Sequence, residues 1–234
     1  MLPKIDSPVY STKIQSTGES VRVRPYTVKQ EKILLIALES KDVDQIIEAI
    51  LTVIQDCVLD DINVRKLPSF DVEGLFVAIR ARSVGEKVKL RIKCEKCNAP
   101  NDTEHDLTDF ELSHKPAEEF KVEISPTIGF ATRYPSMSDI KGILDEDKSA
   151  IEQVIKVAAK CIDYVYDETQ IYKSSETTEE EMVSFIESLS GDQFNKLREF
   201  VDNVPKITKT IQFNCTGCKE HNRIKLEGLQ GFFT

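Results

Sequence analysis

The sequence predicts an α+β protein, a helical bundle with short β-hairpins and a pair of Cys-x-x-Cys knuckles, and three observations carry that prediction. Apolar residues recur every three or four positions through 27–86 and 136–206, the period of a helix with one buried face. The runs leading into "CEKC" and "CTGC" instead alternate apolar with polar residues, the period of a half-buried strand. Finally, 234 residues with 40% apolar and 30% charged suffice for one large domain or two small ones with real cores, so the fold need not rest on crosslinks.

In chain order, "YSTKIQSTGESVRVRPYTV" reads as a hairpin about Ser16–Gly18, with Pro25 closing its second strand. Thr27 and Gln30 form a capping box ahead of "EKILLIALES", where Ile33, Leu34, Ala37 and Leu38 make an apolar stripe. "DVDQIIEAILTVIQDC" repeats the pattern with Val43, Ile46, Ile47, Ile50, Val53 and Ile54. A third helix after Pro68 places Val72, Leu75, Phe76 and Ile79 on one face, with Arg80 and Arg82 at the end where the helix dipole favours cations.

From Lys87 the period becomes two: Val88, Leu90 and Ile92 point one way, Lys87, Lys89, Arg91 and Lys93 the other. "NDTEHDLTDFEL" then returns as a partner strand, and "FKVEISPTIGFATRYP" offers one more weak strand or hairpin, interrupted at Pro126 and Gly129. "SAIEQVIKVAAKCIDYVY" reads as one long helix with Ile151, Val154, Ile155, Ala158, Cys161, Ile162 and Val165 on a single side. Thr178 with Glu181 and Ser190 with Gln193 are capping boxes for two further helices, and the acidic "YDETQIYKSSETTEEE" between them and the long helix reads as an exposed loop. The chain thus divides into an N-terminal β-hairpin arm (1–26), a helical region (27–86), a first knuckle with its β region (87–135), a second helical region (136–206), and a second knuckle with a C-terminal tail (207–234). Residues 27–234 are expected to co-fold as one domain.

The six cysteines are of two kinds. Cys57 and Cys161 stand alone within apolar helical patterns and read as small buried hydrophobes. The other four sit in a repeated strand, CxxC, strand unit: "KVKLRIKCEKCNAPNDTEHDL" and "KTIQFNCTGCKEHNRIKLEGL". One tight turn aims two thiolates at an ion, whereas structural zinc takes four tetrahedral ligands at about 2.0–2.3 Å, so two knuckles close one shell. Cys94, Cys97, Cys215 and Cys218 are therefore the expected ligands of a single structural zinc in a zinc-ribbon-like arrangement, stapling distant parts of the chain. Gly217 and Asn98 are expected to supply the left-handed residues of the two turns, and Lys93, Lys96 and Lys219 to offset the charge of the thiolates. A redox pair would need one CxxC opening a helix, and neither does. His105, His114 and His221 read as solvent-exposed polar residues; the alternative is two half-sites completed by His105 and His221.

No phosphate-binding loop, dinucleotide fingerprint, nucleophile elbow or HExxH is present, so no enzyme activity is expected. A formal charge of −9 argues against general nucleic-acid binding. The basic row Lys87, Lys89, Arg91 and Lys93 is the best local candidate, and it leaves a zinc-ribbon nucleic-acid-binding adaptor as the alternative reading, although no aromatic residue is interleaved for base stacking. "MLPKIDSPVY" lacks the apolar core of a secretory signal and "ILLIAL" is far short of a membrane span, which reads as a soluble chain of a reducing compartment without membrane contact. Near the end, Phe232 and Phe233 follow Gly228 and Gly231; two adjacent aromatics at a terminus either complete the protein's own core or insert into a partner.

Three stretches resemble a known family. "IQSTGESVRVRPYTVKQEKILLIALES", above all Arg24–Leu35, is similar to the N-terminal signature of the T4-type bacteriophage baseplate proteins that form or assemble the central hub of contractile tails. "CTGCKEHNRIKLEGLQGFF" resembles their C-terminal signature, and "LPSFDVEGLFVAIRARSVGE" is similar in order and character to their middle part. The resemblance implies a non-enzymatic structural or assembly role, in the virion tail or the host cytoplasm during assembly. It implies other baseplate hub or tail proteins as partners, leaves self-association open, and carries over no catalytic residue.

Overall fold

The protein is described by a computed structural model over residues 6–106, 109–117, 120–143 and 149–228. Phe232 and Phe233 lie outside the described residues. The chain forms two compact units, one of Met1–Val64, Phe70–Lys115 and Pro205–Thr234, the other of Arg65–Ser69 and Pro116–Val204. Helices and several small antiparallel sheets make the architecture α+β.

In the first unit, β1 (Tyr10–Lys13) pairs antiparallel with β2 (Ser20–Val23) across a turn that ends at Gly18, whose φ of 75° suits glycine. The hairpin is tied down: Val21 and Val23 are buried, Val23 bridges Val58, and the fully buried Asp71 accepts hydrogen bonds from the Ser16 N–H (2.8 Å) and hydroxyl (2.5 Å). The expected capping box of Thr27 and Gln30 opens α1 (Val28–Ser40), and Asp42 caps α2 (Val43–Cys57) through the N–H groups of Asp44 and Gln45. The α2 stripe runs deeper into the core toward its C-terminal end: Ile50, Val53 and Ile54 are buried, whereas Val43 is exposed. In α3 (Ser69–Val84) the buried set is wider than the four-residue stripe read from the sequence. Phe70, Val77 and Ala81 join Val72, Leu75, Phe76 and Ile79, because apolar residues occupy most of its circumference.

Two long hairpins complete this unit. β3 (Lys87–Lys93) pairs with β4 (Pro100–Asp106), and β10 (Ile207–Asn214) pairs with β11 (His221–Glu227) and, on its other side, with the short β5 (Glu111–Leu112). At their base Val77 and Ala81 of α3 cluster with Ile207, flanked by Val88, Phe110 and Leu112.

The second unit is an antiparallel sheet ordered β6 (Phe120–Glu123), β7 (Gly129–Thr132), β8 (Ile162–Tyr166), β9 (Ile171–Lys173), packed with the helices α5 (Ala150–Cys161), α6 (Glu179–Glu187) and α7 (Gly191–Asp202). A short helix, α4 (Met137–Ile140), precedes them. Its core gathers Val122, Phe130 and Ile162 from the sheet, Ala158 and Ala159 from α5, Met182 and Ile186 from α6, and Leu197 from α7. A Cβ at Gly129 would lie 2.7 Å from the Val122 carbonyl and closer still to the Tyr166 ring, so only glycine fits there. The capping boxes at Thr178–Glu181 and Ser190–Gln193 form as expected.

One long helix through Val165 does not form. It ends at Cys161, and "IDYVY" continues as β8. The β-branched and aromatic residues there suit a pleated strand, and pairing on both sides with β7 and β9 satisfies their backbone groups. Ile162 is buried in either conformation, which is why the helical stripe extends across the boundary in the sequence. The acidic stretch is exposed but partly regular, supplying β9 and a 3-10 turn at Ser174–Glu176. No described helix is long and apolar enough to cross a membrane.

Candidate metal centre

Each CxxC occupies the tip of a long hairpin, and the two tips are built alike. In the first, the Cys94 N–H donates to the Ala99 carbonyl (2.9 Å) and the Asn98 N–H to the Cys94 carbonyl (2.9 Å), with Asn98 at φ 57°. In the second, the Cys215 N–H donates to the Glu220 carbonyl (2.8 Å) and the Lys219 N–H to the Cys215 carbonyl (3.0 Å), with Lys219 at φ 61°. The left-handed residue thus follows the second cysteine in both turns. Asn98 fills that role as expected, but Gly217 does not: its counterpart is Lys219, which tolerates the conformation because the turn's hydrogen bonds hold it. A Cβ at Gly217 would make ordinary contacts with Ala99 (3.5 Å) and the sulfurs of Cys215 (3.8 Å) and Cys97 (3.9 Å).

The two tips bring all four sequence-predicted ligands together. Cys94 Sγ lies 3.7 Å from Cys218 Sγ, Cys97 Sγ lies 3.6 Å from Cys215 Sγ, and the four sulfurs are within 4.8 Å of one another. A tetrahedral ion with metal–sulfur bonds of about 2.3 Å would set sulfur–sulfur edges of about 3.8 Å, and a disulfide would set about 2.05 Å. The spacing is therefore that of ligands around a common centre. In each pair, the first cysteine is buried and the second exposed.

Hydrogen bonds supply much of the charge balance. Cys94 is held below the usual thiol range, first by the N–H of Cys97 and then by Lys96 and Asn222. Cys215 is lowered to about 6, first by the N–H of Cys218 and then by Gly217, Cys97 and Asn101. Cys218 is pushed up to about 12: the Glu220 N–H pulls it down, but three neighbouring sulfurs and desolvation outweigh that bond. A cation among the sulfurs removes that repulsion, so binding would release protons. Of the expected lysines, Lys96 pairs with Glu220 across the two tips at 2.5 Å and also senses Cys218 and Cys94.

Two asparagines escape the motif reading. Asn101 and Asn222, 3% and 2% exposed, each follow the second cysteine by four positions; Asn101 donates to Cys215 Sγ and Asn222 lowers the Cys94 thiol. The signal was present as C-x-x-C-x-x-x-N in both copies.

The histidines lie outside the sulfur cluster. His221 is exposed and bonded to Asn214 (3.0 Å), and His114 is exposed beside Ser113 (2.9 Å). His105 departs from expectation: it is half-buried on β4 with Nε2 enclosed and unpartnered, and burial, then Lys209, lowers its basicity. Cys57 and Cys161 are fully buried, and burial pushes their thiols up to about 11 and about 12. The basic row of β3 faces acids on β4: Lys87 bonds Glu104 (3.1 Å), Arg91 bonds Asp102 (3.4 Å), and Lys89 stands opposite Glu104.

With the fold and the cluster in view, the family model described as T4 bacteriophage base plate protein matches residues 7–234. The chain belongs to this baseplate family. Membership brings a structural role in the phage tail baseplate, with other tail or baseplate proteins as partners. No curated protein and no solved structure matches the chain.

Proposed function

We propose that this baseplate protein is a non-enzymatic structural or assembly component of the central hub of a contractile tail, and that one structural zinc, held by Cys94, Cys97, Cys215 and Cys218, fastens its two hairpin tips. One observation carries the metal reading: four sulfurs from two equivalent turns lie within 4.8 Å of one another, with two cross-tip pairs at 3.6 and 3.7 Å, near the edge length of a tetrahedral tetrathiolate. Four thiolates complete the shell, whereas a catalytic zinc keeps a position for water, so the site's chemistry is structural. The ion pairs of Lys87 and Arg91 with β4 favour protein docking over the nucleic-acid adaptor, because cations already paired release fewer counterions from a phosphate backbone.

Docking falls to exposed surface and to the tail, where Phe232 and Phe233 are the proposed partner contacts, each able to contribute a few kcal/mol as a buried aromatic anchor. Metal analysis with X-ray absorption on the purified protein tests the zinc: one ion with four sulfur neighbours is expected, and two ions or none rejects it. Truncation after Gly231 tests the tail. Retained melting temperature with lost capture of hub proteins is expected; a large fall in melting temperature assigns the rings to the protein's own core.

A further inference from the structure

Each buried asparagine grips the tip opposite its own. Asn101, on the first hairpin, accepts at Oδ1 from the N–H (2.8 Å) and hydroxyl (3.0 Å) of Thr216 on the second, and its Nδ2 reaches Cys215 Sγ at 3.7 Å. Asn222, on the second hairpin, accepts at Oδ1 from the Glu95 N–H of the first (3.0 Å) and helps to lower the Cys94 thiol. The remaining amide hydrogens hold each side chain in its own turn, Asn101 to the Ala99 carbonyl (2.8 Å) and Asn222 to the Glu220 carbonyl (3.0 Å).

We infer that Asn101 and Asn222 are positioning residues that latch the two tips together before any ion enters, so that the four sulfurs form a preassembled site. The inference rests on the metal reading above for its ligand but not for its geometry. Only a short carboxamide meets the demands at these positions. Aspartate would turn an oxygen toward both a carbonyl and a sulfur, glutamine is one methylene too long, and an apolar side chain would take away the acceptor of the Glu95 or Thr216 N–H. A latched pair of tips also changes what binding does. In small zinc peptides the ion itself organises the ligands, whereas the latch would hold the tips by hydrogen bonds and leave the asparagines to set affinity through the sulfurs beside them.

The test uses the full chain with cobalt(II) as the probe. Asn101→Asp and Asn222→Asp keep the acceptor and lose the donor. Each is expected to weaken cobalt binding by about 10- to 100-fold in competition with a chelator, while the one-to-one stoichiometry and the thiolate charge-transfer band persist. Binding as tight as wild type overturns the inference. An independent measurement needs no variant: in metal-free wild type, the Glu95 and Thr216 amides are expected to be protected from hydrogen exchange. Exchange at unprotected rates in that state sinks the latch. Protection in a wild type that binds no cobalt keeps the latch and rejects the zinc proposal instead.

Discussion

The second unit of this baseplate protein and the hairpin tips of the first hold together by different means. The second buries side chains from three strands and three helices in one apolar cluster, with Phe130, Ile162 and Leu197 fully enclosed. The hairpin tips of the first enclose two sulfurs and two carboxamides instead, and the apolar cluster at their base has three buried members, Val77, Ala81 and Ile207. Apolar burial at about 25 cal/mol per Å² makes the second unit self-sufficient. The tips reach beyond any such core, so their order must come from hydrogen bonds and, under the zinc proposal, from sulfur ligation.

The largest effect that would sharpen this contrast is metal loss. Chelation, or Cys94→Ser, is expected to abolish exchange protection in the cysteine turns and to lower the melting temperature of the first unit by about 10 °C or more, leaving protection in α5–α7 intact. Cys215→Ser should match Cys94→Ser, and the double variant should be little worse than either, because ligands of one ion are not additive. Additive losses would break the shared-ion picture. Phe130→Ala attacks the other unit and should cost it about 3–5 kcal/mol by denaturant unfolding, with metal stoichiometry unchanged.

Two carboxylates give smaller effects of opposite sign. In the second unit, burial pushes Asp139 up, but bonds from Arg133 (2.7 and 3.1 Å) and Ser136 outweigh it and leave its carboxyl below the usual range. Its stabilisation is present above the unfolded carboxylate pKa and is lost as pH falls through the lower folded value. Asp139→Asn should therefore cost about 1 kcal/mol near neutrality, and little at strongly acidic pH, in paired urea titrations. In the first unit, burial raises Asp71 despite its bonds from Ser16. Its contribution is present below the unfolded pKa and lost as pH rises through the folded one. Asp71→Asn is expected to change stability by less than about 1 kcal/mol at neutral pH and to flatten the acid side of the profile.

The local rules that proved legible are those written in a few adjacent residues. Thr27–Gln30, Thr178–Glu181 and Ser190–Gln193 announce helix starts because a capping box is closed within one turn. The period-two runs beside the cysteines fix both hairpins, and their duplication puts all four thiols at one place. What escaped depends on partners far along the chain. "IDYVY" becomes a strand because β7 and β9 flank it, and the breadth of the α3 surface depends on what surrounds it. His105 is enclosed by packing that no neighbour in sequence reveals. Asn101 and Asn222 look like turn residues until the opposite tip is in place.

Apart from Arg65–Ser69, the second unit is a single insertion that begins after Lys115 and ends before Pro205. The segments that flank this insertion run side by side: β5 pairs with β10, and Ser113 and Lys206 exchange hydrogen bonds of 2.9 and 3.2 Å. That arrangement imposes a schedule on a chain made from its N-terminus. Cys97 leaves the ribosome 118 positions ahead of Cys215, its sulfur neighbour, so the first knuckle waits half-built while the whole intervening unit is translated and can fold on its own core. Closure of the tips must therefore wait for the second knuckle, and a chain broken off anywhere before Asn222 cannot complete it.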